Sequence, residues 1–218
     1  MKIRQKHSIL IGAVALLLAG VAGSSLWAYV TSKSLSTTGE GVQQKWGPGA
    51  FPVTYQMNSV VGANVTGTGN QADIIRQSFD SWKALTTANL NFAVGATTNA
   101  RPGYDQINLV TSNVTTGEYG SNALALGLTI VYSFDQGGVV DQFGRAVDFP
   151  GQILEADIMF NPTVAFSTSA TTPGDKIDLQ SVATHEIGHF LGLDHTTILS
   201  SVMFPTITDG ANYARTLS

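Results

Sequence analysis

The stretch Thr184–Phe204, with the sequence THEIGHFLGLDHTTILSSVMF, carries the histidine spacing that decides the fold of this chain. Two histidines four residues apart on a helix lie on one face, so His185 and His189 can reach a single cation. Gly192 has no Cβ and can end the helix in a left-handed turn, which returns the chain and brings His195 to the same cation. Three nitrogen ligands leave a fourth position for water, as in catalytic rather than structural zinc sites.

Glu186 and Met203 extend the histidine pattern. Glu186 directly follows the first histidine, so it lies beside the cation without binding it. Met203 comes eight residues after the third histidine. The spacing H-E-x-x-H-x-x-G-x-x-H is far more specific than H-E-x-x-H alone. The one remaining histidine, His7, lies near the amino terminus, so every other histidine occupies a ligand position. A surface helix with unrelated imidazoles is the less favoured alternative.

These residues resemble those of a known family. HEIGHFLGLDH followed by SVMFP is similar to the zinc helix and Met-turn of the matrixins, a branch of the metzincin metallopeptidases. The resemblance implies a zinc endopeptidase that cuts protein or peptide substrates and holds one catalytic zinc. Glu186 would act as general base, taking a proton from water and returning it to the leaving amine. Met203 would form an apolar floor under the ligands, because a methionine near a metal more often packs than binds.

A function from a different class is also compatible with these residues. A secreted zinc-containing binding or adhesion module with an inactive metzincin-like site would keep the three histidines. Such a module has no need of Glu186, so the presence of this glutamate weighs against it.

Residues 1–28 have the layout of a secretory signal peptide. A basic head is followed by an apolar run over residues 9–19 and then by small residues, and cleavage after Gly23 or after Ala28 fits equally well. The alternative is an uncleaved anchor, because residues 9–30 are nearly long enough to cross a bilayer. In either case the remaining chain is exported, so we expect a secreted, extracellular protein.

The chain beyond this leader has the size and charge of one exported domain. Residues 29–49 are polar and are expected to form a flexible lead-in, with a catalytic domain over residues 50–218. Of 11 basic residues three lie in the leader, and against 15 acidic residues the remainder has a net charge of −7. No basic cluster suggests nucleic acid, or a membrane beyond the leader, as partner, and we expect a monomer. Cysteine is absent, which excludes disulfides, Cys-ligated metals and the propeptide thiol that keeps many matrixins latent.

The periodicity of apolar residues predicts an α+β fold. The predicted elements are strands at Phe51–Asn58, Leu90–Val94, Gln106–Thr111, Ala123–Ser133 and Ile153–Asn161, a helix at Asp73–Leu85, and a zinc helix capped by Asp178. The resemblance to metzincins implies a twisted sheet of about five strands, mostly parallel with one antiparallel edge, and a zinc cleft between two subdomains. Matrixins continue with a closing helix beyond the position of Ser218. We expect this helix to be missing, either because the chain is a fragment or because it is truly absent.

The resemblance also implies where substrate binds. An unpaired edge strand above the zinc lets an extended peptide add its own backbone as a further strand, although a plain interior strand remains the alternative. The pocket for the residue after the scissile bond would have an apolar wall, which favours Leu, Ile, Phe or Met there. The predicted substrate-binding residues are Ala123, Leu124, Ala125 and Leu126 in the edge strand, Ser181 at the depth of the pocket, and Phe204, Pro205 and Ile207 in its wall.

Calcium is a possible second cation. The loop over residues 134–151 contains Asp135, Asp141 and Asp148 among several glycines, although solvated turn aspartates are the commoner explanation. Many animal matrixins have a histidine for a second zinc where Met159 stands and an acidic calcium ligand where Asn161 stands. Both are replaced here, so we expect one zinc only, and the match of Asp157 to a family calcium ligand is in doubt.

Overall fold

The computed structural model describes residues 31–34, 41–120 and 125–217. The predicted signal peptide, residues 1–28, lies outside these ranges. No helix of the described part is long and apolar enough to cross a membrane. The helices are α1 Gln71–Lys83, α2 Thr116–Tyr119 and α3 Leu179–Phe190, with a 3-10 turn at Tyr213–Arg215. The strands are β1 Lys33–Ser34, β2 Val42–Gln43, β3 Lys45–Trp46, β4 Val53–Met57, β5 Val65–Thr66, β6 Phe92–Val94, β7 Leu109–Thr111, β8 Gly127–Ser133, β9 Val139–Val140, β10 Ala146–Val147, β11 Gln152–Phe160, β12 Phe166–Ser167 and β13 Ile177–Asp178.

A six-stranded mixed sheet forms the centre of the fold. Strands β6, β4, β7 and β11 are neighbours in this order and run parallel, and β3 pairs in parallel with the start of β11. Strand β8 pairs antiparallel with β11 and lies at the edge of the sheet. The expected α+β architecture, mostly parallel with one antiparallel edge, is confirmed. The remaining strands form two antiparallel pairs, β1 with β2 and β9 with β10, and one parallel three-stranded sheet of β5, β12 and β13.

Both long helices pack against this sheet through the apolar faces that their sequences predict. Strand β4 alternates as expected, with Val53, Tyr55 and Met57 buried. The aromatic ring of Tyr55 stacks on Phe79 of α1 at 3.8 Å between centroids, and Phe79 meets Phe190 of α3 edge-on at 5.7 Å. A fully buried side chain of this size stabilises the fold by about 1.5–3 kcal/mol. The apolar core therefore fixes α3, and with it the histidines, on a rigid base.

Residues 31–34 and 41–49, which fall in the predicted flexible lead-in, make defined contacts with the rest of the fold. Ser32 donates its backbone N–H to the Gly192 carbonyl at 2.8 Å and its hydroxyl to the Leu193 carbonyl at 2.9 Å. The indole N–H of Trp46 donates to the Phe190 carbonyl at 2.8 Å, and β3 joins the main sheet. Residues 31–34 and 41–49 thus pack on the end of the zinc helix. Two-residue strands have no periodicity that a sequence pattern could detect.

The segment after α3 contains no further α-helix among the described residues up to 217. Its 3-10 turn packs against α3, and hydrogen bonds from Arg215 hold the turn in place. The Arg215 guanidinium donates to the Asp178 carboxylate at 2.5 and 3.0 Å and to the carbonyl of Ser169 at 2.9 Å. Asp178 also caps α3, as predicted, by accepting the Ser181 backbone N–H at 2.9 Å.

Candidate active site

The three histidines of the pattern converge on one point. Their Nε2 atoms lie 3.1 Å apart for His185 and His195, 3.1 Å for His185 and His189, and 3.2 Å for His189 and His195. Tetrahedral zinc with bonds of 2.0–2.1 Å separates its nitrogen ligands by about 3.3 Å, so this arrangement fits zinc. No other group of three or more potential metal-binding side chains is found in the part of the chain that the structure describes.

Helix α3 and the turn after it produce this convergence. Helix α3 ends at Phe190 with Leu191 as its C-cap, and Gly192 has a φ of +89°. The Gly192 N–H donates to the His189 carbonyl and the Leu193 N–H to the Gly188 carbonyl, which is the Schellman arrangement of a helix end. A Cβ on Gly192 would lie 2.3 Å from the Gln44 carbonyl oxygen. The predicted left-handed turn is therefore present, and it requires glycine for both conformation and space.

Backbone carbonyls hold two of the imidazoles by their other nitrogen. Nδ1 of His185 lies 2.6 Å from the Val202 carbonyl oxygen, and Nδ1 of His189 lies 2.8 Å from that of Leu193. A carbonyl only accepts, so both rings carry their proton on Nδ1 and direct a lone pair from Nε2 toward the shared point. Burial lowers the pKa of all three histidines, that of His185 to about 3. The three imidazoles are thus neutral, the form that binds a metal.

Glu186 is buried beside the histidines and faces strand β8. Its Oε2 accepts a hydrogen bond from the Thr129 hydroxyl at 2.6 Å. Burial raises the pKa of Glu186 to about 7, against the lowering effect of this hydrogen bond. Protonation near neutral pH suits a group that must both accept and return a proton.

Met203 lies against the zinc helix. It is 1% exposed, and a Cβ added to Gly188 would meet its sulfur at 2.1 Å. The same turn carries Val202, whose carbonyl holds His185. The Met-turn is thus packed against the helix that bears two ligands, and a larger residue at Gly188 would separate them.

The predicted substrate-binding edge is only partly within the described residues. Ala123 and Leu124 lie outside them. The carbonyl oxygen of Ala125 accepts from the Tyr119 hydroxyl at 3.1 Å and from Asn161 at 2.8 Å, and that of Leu126 accepts the Asn161 backbone N–H. Regular edge strand begins one residue later, at Gly127, so β8 itself is the edge that follows these residues.

The predicted pocket residues do not share one environment. Ser181 is 1% exposed, and its hydroxyl donates to the Asp178 carboxylate at 2.8 Å. Its side chain belongs to the cap of α3, and its place at the depth of a substrate pocket stays a prediction. In the proposed wall Phe204 and Ile207 are half-buried and Pro205 is exposed. Ile207 packs on the core and Phe204 donates its N–H to the Ser201 carbonyl.

The aspartates considered for calcium do not form a cation site among the described residues. Asp141 accepts from the Tyr104 hydroxyl and from the Arg145 side chain, each at 2.7 Å. Burial would raise the pKa of Asp141, but these hydrogen bonds lower it to about 2. The Asp157 carboxylate accepts the backbone N–H groups of Leu109 and Gly103, both at 2.9 Å. Both carboxylates are therefore occupied by protein donors.

Sequence reasoning missed Gly127 and Thr129. Both contact Glu186 from β8, although they lie almost sixty residues away in sequence. Their position in a predicted strand was the available signal. Only the tertiary arrangement shows that this strand faces the glutamate.

Part of this chain is similar to known proteins. Residues 130–218 match the family model of the matrixins. The chain is 29% identical over 138 residues, 63% of its length, to Metalloendoproteinase 2-MMP of Arabidopsis thaliana, of which the match covers 31%. It is 60% identical over 30 residues to Metalloendoproteinase 1 of Glycine max, covering 14% of this chain and 10% of that one. It is 51% identical over 35 residues to karilysin of Tannerella forsythia, covering 16% and 7%.

The chain thus spans less than a third of the length of these relatives. The zinc-helix pattern, the mostly parallel sheet with one antiparallel edge and the match over residues 130–218 all point to similarity with the matrixins. Over residues 130–218 the chain is thus matrixin-like, similar to a branch of the metzincin metallopeptidases.

Proposed function

We propose that this protein is a secreted zinc-dependent endopeptidase. The observation that carries the proposal is the convergence of three neutral imidazoles with their Nε2 atoms within 3.1–3.2 Å of one another. His185 and His189 direct unprotonated Nε2 atoms at this point, and Nε2 of His195 completes a triangle of the size that the ligands of one zinc require. His185, His189 and His195 would hold one zinc, which leaves a fourth position open to water or substrate.

The chemistry requires an acid and base beside this centre. Bound zinc supplies Lewis acidity, which polarises the scissile carbonyl and acidifies water. Glu186 takes the proton of the attacking water and returns it to the leaving amine, so that no covalent intermediate with the protein is needed. A carboxyl with a pKa near 7 is suited to both transfers at neutral pH.

The substrate would be a protein or peptide in extended conformation. Strand β8 pairs with β11 on one side and lies at the edge of the central sheet, beside Glu186. An extended peptide can pair with such an edge through its own backbone. Secretion is proposed from the leader-like composition of residues 1–28. One catalytic zinc is proposed, and calcium has no support from the positions of Asp141 and Asp157.

A peptidase assay combined with metal analysis tests the proposal. Purified protein should contain close to one zinc per chain and should cleave an internally quenched fluorogenic peptide with an apolar residue after the scissile bond. A zinc chelator should abolish cleavage, and added zinc should restore it. Stoichiometric zinc without cleavage of any peptide or of casein would instead indicate a binding module with an inactive site.

A further inference from the structure

Two residues of strand β8, Gly127 and Thr129, lie directly against the Glu186 side chain. The Thr129 hydroxyl lies 2.6 Å from Oε2 of Glu186 and 3.1 Å from its backbone oxygen. The hydroxyl has a single hydrogen, and the shorter distance to the charged group identifies Oε2 as the acceptor. Thr129 therefore fixes one of the two carboxylate oxygens.

Gly127 leaves the space that the other carboxylate oxygen of Glu186 occupies. A Cβ built on Gly127 would lie 2.5 Å from Oε1 of Glu186 and 2.6 Å from its Cγ. Residues two apart in a strand lie on the same face, so Gly127 and Thr129 both face Glu186. The missing side chain of one residue makes room for Oε1, and the hydroxyl of the other binds Oε2.

We propose that Gly127 and Thr129 are positioning residues for the general base Glu186. This inference rests on the proposed peptidase function and adds residues that the zinc-binding pattern does not contain. With Oε2 bound by the threonine hydroxyl, Oε1 is the oxygen left to take the proton from water. A carboxylate that is already held in this orientation does not have to give up conformational freedom to reach the reactive geometry.

Thr129→Val tests the hydrogen bond. Valine has nearly the same shape and suits a strand, but it cannot donate. We expect kcat to fall about 10-fold to 100-fold, the range for losing one hydrogen bond to a charged group, while KM changes less than about threefold. Zinc content, zinc affinity in a competitive chelator titration and the thermal unfolding midpoint should match the wild type. Thr129→Ser keeps the hydroxyl and should recover most of the lost kcat.

Thr54→Val is the matched control, because Thr54 is an exposed residue of strand β4. It makes the same chemical change in a strand of the same sheet, without contact to the site. We expect its kcat, KM and zinc content to equal those of the wild type. A loss of kcat in this control equal to that in Thr129→Val would overturn the proposal.

Gly127→Ala tests whether the space beside the Glu186 carboxylate is needed. The added methyl group collides with the end of a flexible side chain rather than with backbone, so the carboxylate and not the strand should move. We expect a fall in kcat with unchanged zinc content, and a crystal structure in which the Glu186 carboxylate is displaced. Gly49→Ala is the control, because a Cβ there meets no atom within 4 Å.

The outcomes separate this inference from the proposed function. If Glu186→Gln abolishes cleavage but Thr129→Val and Gly127→Ala both retain wild-type kcat, the positioning role is overturned and the peptidase function stands. Loss of zinc from Thr129→Val would overturn it too, because the residue would then support the metal site. If the zinc-loaded wild type cleaves no peptide, the peptidase function fails first and this inference fails with it.

Discussion

At the scale of single residues, the ligand set depends on contacts that each imidazole makes through its other nitrogen. The carbonyls of Val202 and Leu193 hold His185 and His189 with Nε2 directed inward. Outer contacts of this kind fix the tautomer and ring orientation of metal ligands. The identity of the histidines was predictable from spacing alone. The two carbonyls were not, because a backbone acceptor has no sequence signature.

His189→Ala should lose both the metal and the activity. It removes the second of the two ligands on helix α3, and the two remaining imidazoles cannot complete a three-nitrogen site. We expect zinc measured by atomic absorption to fall well below one per chain after dialysis, with cleavage of a fluorogenic peptide lost in parallel. Leu199→Ala, at a side chain 73% exposed, is a control that should retain zinc. Full zinc occupancy in His189→Ala would contradict the ligand assignment.

At the scale of elements, helix α3 is held at both ends by contacts to segments distant in sequence. Asp178 begins the helix and binds Arg215, and Gly192 ends it against Gln44. The N-cap and the glycine turn were predictable, since each has a local signature. The partners Arg215 and Gln44 were not, because irregular segments carry no periodicity that reveals their contacts.

Gly192→Ala should destabilise the fold through the helix end. A non-glycine residue in this left-handed conformation costs about 1–3 kcal/mol, and its Cβ would also meet the Gln44 carbonyl. For a chain of this size each kcal/mol lowers Tm by about 2–4 °C. Differential scanning calorimetry measures the shift. Gly174→Ala, where a Cβ meets nothing within 4 Å, should leave Tm within error. An unchanged Tm in Gly192→Ala would contradict the turn geometry.

Arg215→Met should weaken the fold in a pH-dependent way. Asp178 is almost fully buried, and removing its partner leaves an uncompensated charge, at a cost of about 3–5 kcal/mol. Burial opposes the ionised form, but the hydrogen bond from Arg215 lowers the pKa of Asp178 below its ordinary value. The stability from this pair is therefore present above the unfolded pKa of about 4 and is lost as pH falls through the lower folded pKa.

Urea unfolding at several pH values measures this effect. The difference between the wild type and Arg215→Met should be largest near pH 7 and should narrow below about pH 4. Arg76→Met is the matched control, because Arg76 pairs with Asp73 on an exposed helix surface, and it should cost less than about 1 kcal/mol. A difference that stayed constant with pH would exclude the ion pair as its source.

At the scale of the whole molecule, a mostly parallel sheet carries helix α3 on one face, and Glu186 of this helix lies against the antiparallel edge strand of the sheet. Alternation in β4 and helical spacing in α1 and α3 were sufficient to predict this plan, because their apolar faces are long. The short strands β1, β2 and β3 were predicted as a flexible lead-in, since two residues carry no pattern. Their contacts with Gly192, Leu193 and Phe190 exist only in the folded chain.

Thiol-reactive mercurials should leave the activity of the protein unchanged. The chain contains no cysteine, so these reagents have no thiolate to modify and no thiol can be displaced from the metal. Peptidase rates with and without a mercurial, in the absence of other proteins, check this. Clear activation of the protein under these conditions would contradict the prediction.

The comparison of the wild type with Glu186→Gln is the measurement that tests the central claim most directly. Glutamine nearly preserves the shape of the side chain but can neither accept nor return the proton. We predict that the variant binds one zinc per chain, as the wild type does, and retains its thermal stability, while cleavage of casein and of a fluorogenic peptide falls by at least about 100-fold. A zinc-loaded Glu186→Gln variant that cleaved casein at the wild-type rate would contradict the assignment of Glu186 as the general base.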